Sequence, residues 1–161
     1  MALAGGVPKI VSVRVQKAEH LRIVPKDGKQ KKITQKWKVQ FLGFKESAHT
    51  KPVLAPAGNP VWDYEVTLKV AVRGGPVVLL VTDSEDHHVG QVVIPASSMP
   101  PRPTNSYERP TDASRLRVSD LEPTKKVSNP LGTLYYWVWV EEYRAVDDVK
   151  SSRGSVLSLS R

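Results

Sequence analysis

Apolar and polar residues alternate with a period of two along most of this chain, the spacing of strands with one buried face. Ile10 to Val15 puts Val11, Val13 and Val15 on one side. Gln35 to Leu42 sets Trp37, Val39 and Phe41 against Lys36, Lys38 and Gln40, so one face is apolar and the other basic. Val61 to Val70 opposes Trp62, Tyr64, Val66, Leu68 and Val70 to Asp63, Glu65, Thr67 and Lys69. Val77 to Val81 is apolar throughout, as in a strand buried on both faces. Val89 to Ile94 is short and β-branched, and Gly132 to Tyr143 reads as a long closing strand. Turn chemistry separates these runs at Asp27-Gly28, Gly58-Asn59-Pro60, Gly74-Gly75-Pro76, Pro100-Pro101 and Asn129-Pro130. Strands punctuated in this way, without long helical periods, predict an all-β domain, either a sandwich or a barrel.

Two stretches leave this rhythm. Pro95 to Ser114 holds five prolines and reads as an extended surface excursion, with a helical turn near Asp112 to Leu116. From about Ala145 the chain is rich in Ser, Arg and Val without periodicity. One domain over residues 7–144, followed by a flexible Ser-rich tail or linker over 145–161, is the expected organisation.

Composition narrows the function classes. With 161 residues, 40% hydrophobic and 25% charged, the chain is long enough for one sizeable core and too apolar for wholesale disorder. The absence of cysteine removes disulfides, thiolate metal sites and cysteine nucleophiles together, and fits a reducing compartment. No apolar run approaches the roughly 20 residues of a membrane helix. Met1 to Val7 lacks the basic and apolar regions of a secretory signal, so a cytoplasmic protein, peripheral to a membrane at most, is expected. The net charge is +8, and nine Lys or Arg residues against Asp27 and Glu46 lie between Arg22 and Lys51. Charge so concentrated points to an anionic partner.

Several short runs resemble the C2 domain, the second conserved region of protein kinase C. Asn59-Pro60-Val61-Trp62-Asp63-Tyr64-Glu65 is similar to the element opening a central C2 strand. Val78 to Asp86, followed by Val89-Gly90-Gln91-Val92-Val93-Ile94-Pro95, resembles that family's apolar strand, acidic loop and Gly-x-x-x-Ile-Pro passage. Val13, Val15, Ala18 and Leu21 match the opening pattern, and Gly132, Leu134 and Val138 the closing one, over about 135 residues in the same order. The resemblance implies an eight-stranded antiparallel β-sandwich with loops gathered at one end. It also implies membrane binding through calcium or through a basic strand face, or else binding to proteins alone.

Calcium takes six to eight oxygen ligands, which requires carboxylates from more than one loop. The acidic loop offers Asp83, Glu85 and Asp86, and Asp83 and Glu85 match two ligand positions of the family. A third falls near His87 or His88. The first loop has Gln35 where the family has an aspartate, and its one acid, Asp27, is surrounded by Lys26, Lys29, Lys31 and Lys32. Lysines there repel a cation. A calcium-independent domain without a bound metal or other cofactor is therefore expected, with Asp83 to Asp86 read as a solvated turn.

The basic face is the stronger candidate. Lys36 and Lys38 project opposite Trp37 and Val39, and the resemblance places Lys51 beside them where lysine-rich relatives hold an inositol phosphate. Lys45, and Lys29, Lys31 and Lys32 in the first loop, add further anionic-lipid contacts. The alternative is a solubilising charged surface. Nucleic acid is disfavoured, because no aromatic stacking residues interleave with the lysines. On the last strand, Tyr135, Trp137 and Trp139 face away from Leu134, Tyr136, Val138 and Val140. These aromatics mark a protein-binding or self-association surface, unless the Pro95 to Ser114 excursion covers them.

No catalytic constellation is present: there is no nucleophile elbow, phosphate-cradling glycine loop or His-Glu-x-x-His pair. The adjacent His87 and His88 read as polar loop residues. Expected, then, is a non-catalytic module that recruits a larger protein to phosphoinositide membrane. The alternative is a protein-interaction module of a scaffold or trafficking protein using the aromatic last strand.

Overall fold

The computed structural model describes residues 9–23, 34–71 and 74–142. Among them run nine strands: β1 (Lys9–Arg22), β2 (Lys36–Leu42), β3 (Ala48–His49), β4 (Val53–Leu54), β5 (Val61–Lys69), β6 (Val77–Asp83), β7 (His88–Ile94), β8 (Arg117–Asp120) and β9 (Leu131–Glu142). One sheet has the order β5-β1-β9-β8 and the other β3-β2-β6-β7, with β4 also paired to β2. Neighbouring strands are antiparallel throughout.

β3 and β4 act as one interrupted edge strand. Between them lies Thr50, whose buried hydroxyl accepts the Val39 N–H at 3.0 Å while its own N–H donates to the Val39 carbonyl at 2.9 Å. A side chain thus replaces one rung of the ladder. Counted this way, the nine segments form the expected eight-stranded antiparallel sandwich. Short strands such as β3, β4 and β8 carry too few residues to show a period.

The alternation predicted from sequence sorts core from surface. Val11, Val13 and Val15 of β1, Val39 and Phe41 of β2, Leu79 and Val81 of β6, and Leu134, Tyr136 and Val138 of β9 are buried in a single apolar cluster. β1 extends well beyond its alternating start, because its polar second half still pairs with β9 as far as Leu131 opposite Arg22. Gly58, at φ 85°, brings the β4–β5 loop onto this strand end, where Leu21 N–H donates to its carbonyl at 2.9 Å. A Cβ at Gly58 would sit 2.5 Å from the Leu21 carbonyl oxygen, so only glycine fits this approach.

The proline-rich excursion is ordered by contact with β9. Two short 3-10 turns, Ala96–Ser98 and Ala113–Arg115, lie within it, the second where a helical turn was predicted. β8 pairs with β9 only over Thr133 to Tyr136. Beyond that point the excursion takes up the exposed edge: Val140 N–H donates to the Pro100 carbonyl at 2.9 Å, and Arg102 N–H to the Val140 carbonyl at 3.1 Å. An Arg102–Glu141 ion pair reinforces this contact. Among the described residues no helix is long and apolar enough to cross a membrane. The tail expected from residue 145 lies outside the described residues.

Candidate anion-binding face

β2 presents the basic face as its alternation predicts. Trp37, Val39 and Phe41 are buried, while Lys36 is exposed on the opposite side. Lys36 stands in register with Leu54, which is 61% exposed, so a cation and an apolar side chain share this corner. Lys51 is exposed in the connection from β3 to β4, level with the middle of β2. Lys38, Gln40 and His49 continue the same face, with His49 opposite Gln40 in register. His49 Nδ1 lies 2.8 Å from the Thr50 carbonyl, which can only accept, so this nitrogen carries the proton.

The structure divides the expected lysines. Lys36, Lys38 and Lys51 fall together. Lys45 does not: its N–H donates to the Lys69 carbonyl at 3.0 Å, beyond the far end of β2. At about 3.3 Å per residue, the length of β2 puts some 20 Å between that end and Lys36. Lys29, Lys31 and Lys32, with Asp27, lie outside the described residues.

Lys38 is already paired. Its Nζ is 2.8 Å from Asp86 Oδ1, and Gln40 Nε2 donates to the same oxygen at 3.1 Å. The Lys38 hydrogen bond is the main cause holding the Asp86 carboxyl below its usual range. Only 14% of the Lys38 side chain is exposed, against 68% for Asp86. Alternation already places Gln40 on this face, whereas His49 and Asp86 were missed as its members; Asp86 arrives through the register of β2 with β6.

The acidic loop is not the solvated turn its composition suggests. Asp83 is fully buried; its Oδ1 accepts the N–H groups of Glu85 and His87, each at 2.9 Å, and its Oδ2 accepts His87 Nδ1–H at 2.8 Å. The carboxylate thus organises the β6–β7 turn from inside. Glu85 is exposed, and Asp86, at φ 66°, turns toward Lys38. Asp83 and Asp86 are thus turned to separate tasks, one inside the turn and one against β2. Among the described residues no group of three His, Cys, Asp or Glu side chains has metal-holding geometry. His87 faces Asp83, whereas His88 Nδ1 lies 3.1 Å from Thr124 Oγ1, so the adjacent histidines do not converge.

At the same end of the sandwich, His20, Leu21, Arg22, Pro56, Ala57, Leu131 and Gly132 line an open cleft of about 440 Å³. Arg22 is exposed there, and Leu131 is 42% exposed. The first-loop end is therefore mixed in character, basic and apolar.

The aromatic surface expected on the last strand needs correction. Trp137 and Trp139 are buried, at 7% and 3% exposure, instead of presenting themselves to solvent. The Trp137 indole N–H donates to the Asp112 carbonyl at 2.9 Å, so the excursion covers this face. Tyr135 remains half-buried: its hydroxyl donates to Glu19 Oε1 at 2.6 Å, and Lys17 Nζ sits 4.7 Å from the ring centroid. That bond lowers the Glu19 carboxyl and raises the Tyr135 phenol from their ordinary values. Tyr135 alone of the three is accessible to a partner.

No family profile matches the sequence, and no curated protein matches it. Solved structures do match its shape. The C2A domain of plant Extended Synaptotagmin 1 superposes with a TM-score of 0.60 at 18% identity, over 86% of this chain and 98% of that one. PLC21 of L. pealei gives a TM-score of 0.59 at 15% identity, over 89% of this chain but 17% of that one. Human GIVD cytosolic phospholipase A2 gives 0.55 at 16%, over 86% of this chain and 17% of that one. This chain thus spans less than a fifth of the length of the last two and nearly the whole of the plant domain.

Proposed function

The fold is that of a C2 domain, and on it we propose a non-catalytic, calcium-independent module that brings a larger protein to anionic, phosphoinositide-bearing membrane. The observation that carries this reading is the grouping of Lys36, Lys38 and Lys51 on one outer face, next to the exposed Leu54. Two lysines free to meet phosphate, a third within reach and an apolar side chain at the rim suit a membrane surface. Calcium independence is favoured because Asp83, one of the two matched ligand candidates, has both carboxylate oxygens engaged inside the turn. Asp86 is likewise engaged by Lys38.

Each lysine near an anionic bilayer contributes about 1 kcal/mol, so three together are worth roughly a hundredfold in affinity. The test is co-sedimentation with phosphatidylcholine vesicles containing a phosphoinositide, run with calcium and with chelator. Wild-type protein is expected to bind equally in both, and a Lys36→Glu, Lys38→Glu, Lys51→Glu triple variant to lose at least about tenfold. Binding that needs calcium, or that survives the triple reversal, would sink the proposal.

A further inference from the structure

Lys38 is the innermost cation of the proposed binding face, and an anion already occupies it. Asp86 Oδ1 takes two donors from β2, Lys38 Nζ at 2.8 Å and Gln40 Nε2 at 3.1 Å. Those are the contacts a phosphate oxygen would take. The carboxylate is delivered by a well-tied turn. Asp86 N–H donates to the Asp83 carbonyl at 3.1 Å, Asp83 N–H to the His87 carbonyl at 3.0 Å, and the buried Asp83 carboxylate holds the intervening amides. Ser84 N–H donates to the Lys36 carbonyl at 2.8 Å, fastening the loop directly to β2.

We infer that Asp86 is a resident competitor, an internal carboxylate that an incoming anionic headgroup must displace from Lys38 and Gln40. This rests on the lipid-binding reading above and adds its control element. Displacement is feasible because Asp86 is 68% exposed and can swing into water, whereas Lys38 stays at the site. With its carboxylate end 68% exposed, the pair is worth about as little as a surface pair, below about 1 kcal/mol, so removing it should strengthen binding by about three- to fivefold.

The left-handed backbone at Asp86 makes Asn the appropriate replacement, since Asn tolerates that conformation and lacks the charge. Glu85→Gln serves as control, removing one charge from an exposed neighbour in the same loop without touching Lys38. Affinity for phosphatidylcholine vesicles containing a phosphoinositide is measured for wild type, Asp86→Asn, Glu85→Gln, Lys38→Gln and the Lys38→Gln, Asp86→Asn pair. The competitor predicts a gain of about three- to fivefold for Asp86→Asn, less than about twofold for Glu85→Gln, and no gain from Asp86→Asn once Lys38 is Gln. Binding by Asp86→Asn where wild type shows none also supports it, the competitor then being dominant. Equal gains in Asp86→Asn and Glu85→Gln, or a gain that persists without Lys38, would reduce the effect to net charge and overturn the inference. Wild type and Asp86→Asn binding alike would overturn it and leave the lipid-binding reading standing. Binding by neither overturns both.

Discussion

Single residues in the β6–β7 region show how far chemistry depends on surroundings. Asp83 and Asp86 are three positions apart, yet one is sealed in the fold and the other is mostly solvated. Composition cannot separate them, because the difference lies in which strand end each meets. His88 shows a second effect of place. Burial is the main cause that lowers its pKa from 6.5, with Lys126 adding repulsion. A folded-state value below the unfolded one means that the native fold favours the neutral ring. Its contribution to stability is complete above about pH 6.5 and is lost as pH falls through the lower folded value. Urea titrations at neutral pH and at about pH 5 should therefore show a smaller loss of midpoint in His88→Gln than in wild type. Identical losses would assign the acid sensitivity to other groups.

At the scale of elements, the long alternating strands were legible in the sequence. β2 and β5 begin and end within a residue of where the pattern places them. β6 extends through Asp83, since Thr82 and Asp83 are buried polar residues that interrupt an apolar run without ending the strand. β8 and the pair β3 and β4 were not legible, because two to four residues carry no measurable period. Trp137 and Trp139 were placed on the correct face, but whether solvent or the excursion lies over them was left open. Alternation reports the side of a sheet and says nothing of what lies over it. The excursion supplies that cover, so it should be coupled to β9 energetically. Trp137→Phe removes the indole N–H that Asp112 accepts and part of the packing, with an expected cost of about 1–2 kcal/mol. Hydrogen exchange should then quicken through residues 109–116, while the β2 amides keep their protection. Unchanged exchange in the excursion would show that the indole bond does not hold it.

On the scale of the whole molecule, charge is distributed unevenly between the two sheets. On the outer face of the first, Arg14 lies 3.4 Å from Asp63 and 3.7 Å from Glu65, so the cation is offset by acids. The second sheet carries Lys36 and Lys51, with no ion pair of their own among the described residues, and Lys38 paired with Asp86. Binding driven by such a face should weaken steeply with salt, because the screening length falls from about 10 Å at 0.1 M to about 3 Å at 1 M. Vesicle affinity of the wild type is expected to drop by at least about tenfold across that range, and that of the Lys36, Lys38 and Lys51 charge-reversal variant to change little. A salt-insensitive wild type would point to apolar contact through Leu54 and Leu131 as the main attraction. This polarity was half visible in the sequence. The run of lysines was plain, but its division between β2, the far turn at Lys45 and the first loop depends on the folded path.

The excursion has one more effect, on what the domain cannot do. Pro100 to Arg102 occupies the backbone of β9 where β8 stops, and Pro101 brings no N–H to offer another chain. On the other sheet, Glu122 bonds in both directions with Gln91 and covers part of the β7 edge. Irregular chain thus blunts an edge of each sheet, a common guard against strand-to-strand aggregation. A second copy seeking to extend the sheet through β9 would first have to peel the excursion away.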